Sequence, residues 1–268
     1  MAKSKKKTFT KTIIPKSSKH VKHMFGNSIF PSGKPPSLNK NQIEKYPKNY
    51  DTTMKIELGK KNKNRYLLYY FGKDSEGDNS KDLYNHQVYD NIDYYVIKLD
   101  SMGKGMLKFK CPPIYIVNKH KNIQERHIHY ILSNKDGSNW KNKVYQKEVE
   151  CDIDIKMVDK LVKQGKHLFI NALPYKYFVQ DRVPGSICLP HDDLFTNLGK
   201  KEVYKFIIDN HPLQDNLRDN RTLPIVCYCY NDTCEADCDL KEKLNSIGFK
   251  NILVYSGGIT DYRKHHKK

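Results

Sequence analysis

The sequence contains no apolar run near the roughly 20 residues a bilayer-crossing helix needs, which excludes a membrane-spanning protein. It has no CxxC and no HxxxH pair, so the tight ligand spacings of common zinc sites are missing. No metal and no cofactor are expected. Acid is almost absent from the start of the chain: residues 1–50 hold Glu44 against twelve lysines and no arginine. The basic opening MAKSKKKTFTKTIIPK is followed by no apolar stretch, so a secretory leader is not expected. Without one, seven cysteines point to a reducing compartment, cytoplasmic, in which thiols stay free for chemistry rather than forming staples.

The chain has 268 residues, a net charge of +18 and 38% hydrophobic residues, enough for one large or two ordinary domains. Residues 1–49 read as a disordered basic arm, because their prolines and scarce large apolar groups cannot offset the entropy of ordering. The arm's charge suits a polyanion or nucleic acid held through residues 1–48, in a nucleic-acid-associated or virion setting. A solubilising tail is the alternative, since charge alone names no partner.

Residues 50–149 read as a β-rich domain, an all-β sandwich or barrel of unknown role. Arg65–Phe71, Tyr94–Leu99 and Arg126–Leu132 are short and rich in aromatic and β-branched residues, with polar turn clusters between them. His127 and His129, two apart on a strand, share a face. With His120 or Cys111 they would offer ligand chemistry, but the spacing favours packing residues. Tyr69, Tyr70, Tyr94 and Tyr95 beside basic residues resemble a stacking platform for single strands, although aromatics are favoured in any strand.

Residues 150–265 change period. Ile153, Met157, Val158, Leu161 and Val162 recur at helical spacing, with Asp152 or Asp154 as N-cap and Gly165 as stop. Strands follow at Leu168–Asn171, Ser186–Leu189, Leu223–Cys229 and Ile252–Tyr255. Helices fall at Lys200–Asp209, with Val203, Phe206 and Ile207 on one side, and at about 237–247. A short basic tail closes the chain. Alternating helices and apolar strands predict an α/β domain on a mostly parallel sheet.

Cys229 ends one of these strands, where ligands of open α/β sheets bind. The following residues Tyr230, Asn231, Asp232, Thr233, Cys234, Glu235 and Ala236 form a loop into a helix. Such a loop can turn its N–H groups inward as an anion cradle that favours a thiolate. Nearby Asp232, Glu235 and Asp237 oppose this, so a moderate downward pKa shift is expected.

Four segments in order resemble the rhodanese-like (sulfurtransferase) family: Asp181–Pro190 around Val-Pro-Gly, Ile225–Cys229, Leu244–Ile252, and Tyr255–Tyr262 around Gly-Gly-Ile. The resemblance implies sulfane-sulfur transfer through a persulfide on Cys229, from thiosulfate or a persulfidated protein to a thiol acceptor. It puts Cys234 where a subset of the family has a second cysteine, open to reading as a resolving thiol, a second reactive group or a plain loop residue, and makes the intervening loop the substrate cradle. Asn171 and Leu173 stand where the family carries Asp and Arg, and Ala236 where a loop arginine is common. Those departures favour a second reading, a catalytically silent docking module on a basic protein. Cys227 and Cys188 read as core residues, and Cys238 as an inert residue opening the helix.

Overall fold

The computed structural model describes residues 37–38, 43–73, 83, 88–89, 92–117, 122–192, 199–214 and 219–266. Most of the basic arm, with its polyanion contact, lies outside the described residues, as does His120.

The N-terminal half is built from antiparallel strands: β1 (Thr52–Glu57), β2 (Tyr66–Phe71), β3 (Tyr94–Lys98), β4 (Lys104–Phe109), β5 (Tyr115–Ile116), β6 (Ile123–Gln124), β7 (His127–Ser133) and β8 (Trp140–Glu148). Four of them form a sheet in the order β3-β2-β7-β8, while β1 pairs with β4 and β5 with β6. The alternation of β2 decides which side each residue faces. Leu67, Tyr69 and Phe71 enter the core shared with β1 and β4, whereas Leu68 and Tyr70 enter a second cluster with Val88, Tyr89 and Tyr115. Both faces are therefore covered, which is why β2 lacks the polar–apolar alternation of a half-exposed strand. Tyr69 and Tyr70 are fully buried, so they form no open stacking platform. Aromatic residues at these positions fill the core instead.

The C-terminal half alternates as its period predicts: α1 (Ile155–Gln164), β9 (Leu168–Asn171), α2 (Tyr175–Phe178), β10 (Ile187–Cys188), α3 (Lys200–Asp209), β11 (Ile225–Tyr228), α4 (Ala236–Ser246), β12 (Ile252–Tyr255) and α5 (Gly258–His266). The sheet is parallel, in the order β10-β9-β11-β12. Asp154 is the N-cap of α1, its carboxylate accepting the Met157 N–H at 3.0 Å. Asp152 instead bridges to Val254 at the sheet edge and accepts the Ser256 N–H at 2.9 Å. Gly165 ends α1 in the left-handed region, φ 62°, where a Cβ is penalised.

Three expectations need correction. The closing segment is a helix, α5, rather than a tail. Its first amides are satisfied from outside, by the carbonyls of Cys229 and Tyr230, and its basic residues gather in the last turn, where they complement the helix dipole. On α3 Val203 and Ile207 are buried but Phe206 is exposed, so the apolar stripe is narrower than the spacing suggests. Cys111 and Cys151 form a disulfide, which removes the premise that all seven thiols are free and with it the inference to a reducing compartment. Both cysteines are brought together because residues just before β5 and just before α1 meet where the two halves pack. No helix of the described residues is long and apolar enough to cross a membrane.

The halves share one core. Residues from β1, β2, β4 and β7 pack continuously with Val149, Ile153, Val158, Phe169, Val226, Leu253 and Ile259. A buried guanidinium sits at the same seam, Arg126 donating to the Pro112 carbonyl at 2.8 Å and to the Asn251 side chain.

Candidate active site

The end of β11 is held from three sides. The Tyr228 hydroxyl accepts the Val183 N–H at 3.1 Å and donates to Ser186 Oγ at 2.9 Å, so the Val-Pro-Gly-Ser turn is pinned to the strand that carries Cys229. Arg263 of α5 pairs with Asp181 at the start of that turn. On the other side, the Cys229 and Tyr230 carbonyls accept the Ile259 and Thr260 N–H groups, both at 3.0 Å. That close approach requires glycine at 258: with φ +59°, an added Cβ would lie 2.6 Å from the Cys229 oxygen. The Gly-Gly pair thus lets a helix start against the back of the cysteine.

Cys229 itself is completely buried. Its thiol donates to the Asn231 carbonyl at 3.6 Å. Burial pushes its pKa far up, and the Asp237 carboxylate and the Cys234 side chain add to the rise, while the Asp237 N–H works in the opposite direction. The expected depression is reversed. The reason lies in the loop, Tyr230–Glu235, which folds upon itself. The Thr233 N–H bonds to Asn231 Oδ1 at 3.2 Å and the Cys234 N–H to the Asn231 carbonyl at 3.1 Å. Two amides that an anion cradle would aim at sulfur are thereby used within an Asx-type turn.

The remaining loop residues divide simply. Tyr230, Asp232, Thr233 and Glu235 are exposed, Asn231 and Cys234 are half-buried, and Ala236 is buried at the first position of α4. Cys234 is near enough to the Cys229 thiol to contribute to its raised pKa. Cys227 is a buried core residue whose thiol is pushed up by burial. Cys188 is half-buried and donates to the Leu173 carbonyl at 3.4 Å. Cys238, on the first turn of α4, is pushed up to about 12 by burial.

One group at the site enters the sequence reading only as an opposing charge. Asp237 is 1% exposed and burial raises its carboxyl to about 6. Its Oδ1 accepts the Cys238 N–H at 2.9 Å, its Oδ2 is buried with no hydrogen-bond partner among the described residues, and its charge raises the Cys229 thiol. The available signal is positional: an acid in the first turn of a helix that follows a strand-end cysteine sits near that cysteine, because the helix must return across the strand end. Neither the hollow lined by Tyr46, Tyr94 and Tyr95 nor the one lined by Arg65, Tyr130 and Tyr145 reaches this site.

The histidine pair lies as the strand period predicts, buried on one face. His127 and His129 do share a face, with their Nε2 atoms 3.0 Å apart. Cys111 is not their neighbour in chemistry, being bonded to Cys151. Among the described residues no group of three or more His, Cys, Asp or Glu gathers as a metal site.

The C-terminal half is thus a parallel α/β sheet with a cysteine at the carboxyl end of a central strand, next to the N-terminus of the following helix. Residues 154–265 match the family model of the rhodanese-like domain, and this part of the chain belongs to that family. Similar solved structures include the human single-domain sulfurtransferase TSTD1, at 12% identity over 44% of this chain and 96% of that one, with a TM-score of 0.33. An uncharacterised protein from Saccharomyces cerevisiae is 17% identical over 45% and 95%, with a TM-score of 0.34. The single-domain sulfurtransferase RDL2 of the same yeast is 16% identical over 41% and 87%, with a TM-score of 0.30. No curated protein matches the chain.

Proposed function

We propose that the C-terminal domain is a sulfurtransferase that carries sulfane sulfur on Cys229, with Asp237 taking the thiol proton. The observation that carries this reading is a buried thiol at the end of β11 followed by a buried carboxyl on the first turn of α4, whose charge acts on that thiol. A base with a pKa near operating pH accepts a proton most usefully during attack. A thiosulfate or persulfide donor would be attacked at its outer sulfur. With thiosulfate, the Cys229 thiol, the Asp237 carboxylate and the donor become the Cys229 persulfide anion, the Asp237 acid and sulfite. A thiolate acceptor then takes the terminal sulfur and leaves Cys229 as thiolate. When no acceptor is present, Cys234 attacks the protonated persulfide, forming a disulfide with Cys229 and releasing hydrogen sulfide. Because Cys229 is sealed, the turn from Tyr230 to Glu235 must open for the donor to enter. The antiparallel half serves as a sandwich-like scaffold in this reading.

A second reading is favoured by that sealing: a silent module used for docking, since fold does not guarantee activity. Intact-mass analysis after exposure to thiosulfate or a small persulfide separates the two. The enzyme reading expects a gain of one sulfur, about +32 Da, in the wild type and none in Cys229→Ser, the mark of covalent catalysis. Asp237→Asn should load about 100-fold more slowly, as loss of a general base predicts. Folded wild type that takes sulfur from no donor, or Cys229→Ser that loads as well as wild type, removes the enzyme reading and leaves the module.

A further inference from the structure

We propose that the N-terminal half holds one divalent transition-metal ion between Nε2 of His127, Nε2 of His129 and the phenolic oxygens of Tyr89 and Tyr115. The four side chains converge in the second cluster of the antiparallel half, all at most 5% exposed. From His127 Nε2 the distances are 3.0 Å to His129 Nε2, 3.1 Å to the Tyr89 oxygen and 3.2 Å to the Tyr115 oxygen. The two oxygens are 3.4 Å apart. An ion binding four ligands tetrahedrally at about 2.0–2.1 Å spaces them about 3.3–3.4 Å from one another. Four of the six edges of such a site, at 3.0–3.4 Å, are already near that length.

Proton counting gives an independent reason. His127 Nδ1 lies 2.6 Å from the Glu125 carbonyl, which only accepts, so this nitrogen carries the proton and Nε2 presents a lone pair. An imidazole held by a carbonyl on its far nitrogen is the usual posture of a metal-binding histidine. His129 can then adopt two neutral forms. With its proton on Nδ1, that N–H has no partner among the described residues, and two lone pairs face each other at 3.0 Å. With the proton on Nε2, that N–H faces the single lone pair of His127 at 3.0 Å and Nδ1 is left as a buried acceptor with no partner among the described residues. Both arrangements leave a conflict in a buried place, where an unmet polar group is costly. A cation at the common focus relieves the facing lone pairs of the first form, with the His129 proton then fixed on Nδ1. Two phenols that lose their protons to solvent on binding would supply two negative charges, so a divalent ion and two neutral imidazoles make a site with no net charge. Imidazole and phenolate oxygen suit zinc, copper or iron rather than calcium or magnesium.

The test uses the full chain, stripped with a chelator and titrated with Co2+ as a visible probe of tetrahedral sites, followed by displacement with Zn2+. The expected result is one Co2+ per chain, with intense d–d absorption that Zn2+ abolishes. His129→Gln should lose the absorption. Tyr89→Phe and Tyr115→Phe retain each ring's packing and remove one oxygen, so they guard against a variant that fails to fold. Each should weaken uptake at least about tenfold. Cys229→Ser should bind as wild type does. A wild type that takes up no Co2+, uptake unchanged in both tyrosine variants, or uptake lost with Cys229→Ser would each overturn the site, in the first case showing a purely hydrogen-bonded core. None of these outcomes depends on whether Cys229 carries sulfur.

Discussion

The two halves bury their polar chemistry in different places. In the parallel half it stands at a strand terminus, where Cys229 leaves β11 and meets the first turn of α4. In the antiparallel half it stands in mid-sheet, where His127 and His129 project from β7 and meet Tyr89 and Tyr115. The difference follows from connectivity. A parallel sheet ends all its strands on one edge and returns through helices, so backbone and side chains converge at that edge. An antiparallel sheet has no such edge, and side chains converge only where another element covers a face. Yet the halves are not energetically separate, since one apolar core runs through both.

The largest effect should come from the covalent link across them. The Cys111–Cys151 bond closes a span of 40 residues, and chain entropy assigns about 4 kcal/mol to a loop of that length. Cys111→Ser with Cys151→Ser should lower stability by roughly that amount in urea unfolding. Trp140, the single tryptophan, lies on β8 and reports the antiparallel half, while alkylation of the buried Cys229 reports the parallel half. A shared core predicts that both signals change at the same urea concentration in wild type. Separation of the two transitions would break the comparison into two independent units.

The parallel half is legible in sequence to within a residue or two at most ends, because periods of 3.6 and short apolar runs alternate there with glycine or aspartate marks. Asp154, Gly165 and Gly248 mark boundaries through local backbone chemistry that needs no tertiary context. What is not legible depends on distant partners. Helix α5 is secured by carbonyls from the end of β11, and the turn that seals Cys229 is secured by Asn231. The thiol's raised pKa is a consequence of that sealing, which no spacing of residues encodes. In the antiparallel half the alternation of β7 is readable, but Tyr89 and Tyr115 reach His127 from 38 and 12 residues away. The disulfide is of the same kind, a pairing fixed by the meeting of two halves.

A smaller effect isolates the parallel half's buried charge. Asp237 has an ordinary carboxyl pKa of 3.8 and a folded value of about 6. The folded state therefore holds its proton more tightly than the unfolded chain. Stability is complete below about pH 4, falls as the pH rises to about 6, and stays flat above. Asparagine does not titrate and keeps an oxygen for the Cys238 N–H. Asp237→Asn should then exceed wild type by about 2 to 3 kcal/mol at pH 8 and equal it near pH 4. A constant difference across that range would mean that the carboxylate is not buried against Cys229. Slower sulfur loading in the same, more stable variant would show that the acid is retained for chemistry at a cost in stability.

The smallest effect tests how far a local feature of one half is felt by the other. The Asp154 carboxylate caps α1 through a single bond of 3.0 Å to the Met157 N–H, exposed to solvent. Asp154→Ala should cost about 1 kcal/mol, the usual value of an N-cap. The helix buries Val158 and Leu161 in the core that both halves share, so fraying of its first turn loosens a surface common to both. In a cooperative molecule that loss of about 1 kcal/mol shows equally in the Trp140 and Cys229 signals. A cost visible only at Cys229 would place α1 with the parallel half alone, and the shared core would then be a contact between units rather than their common interior.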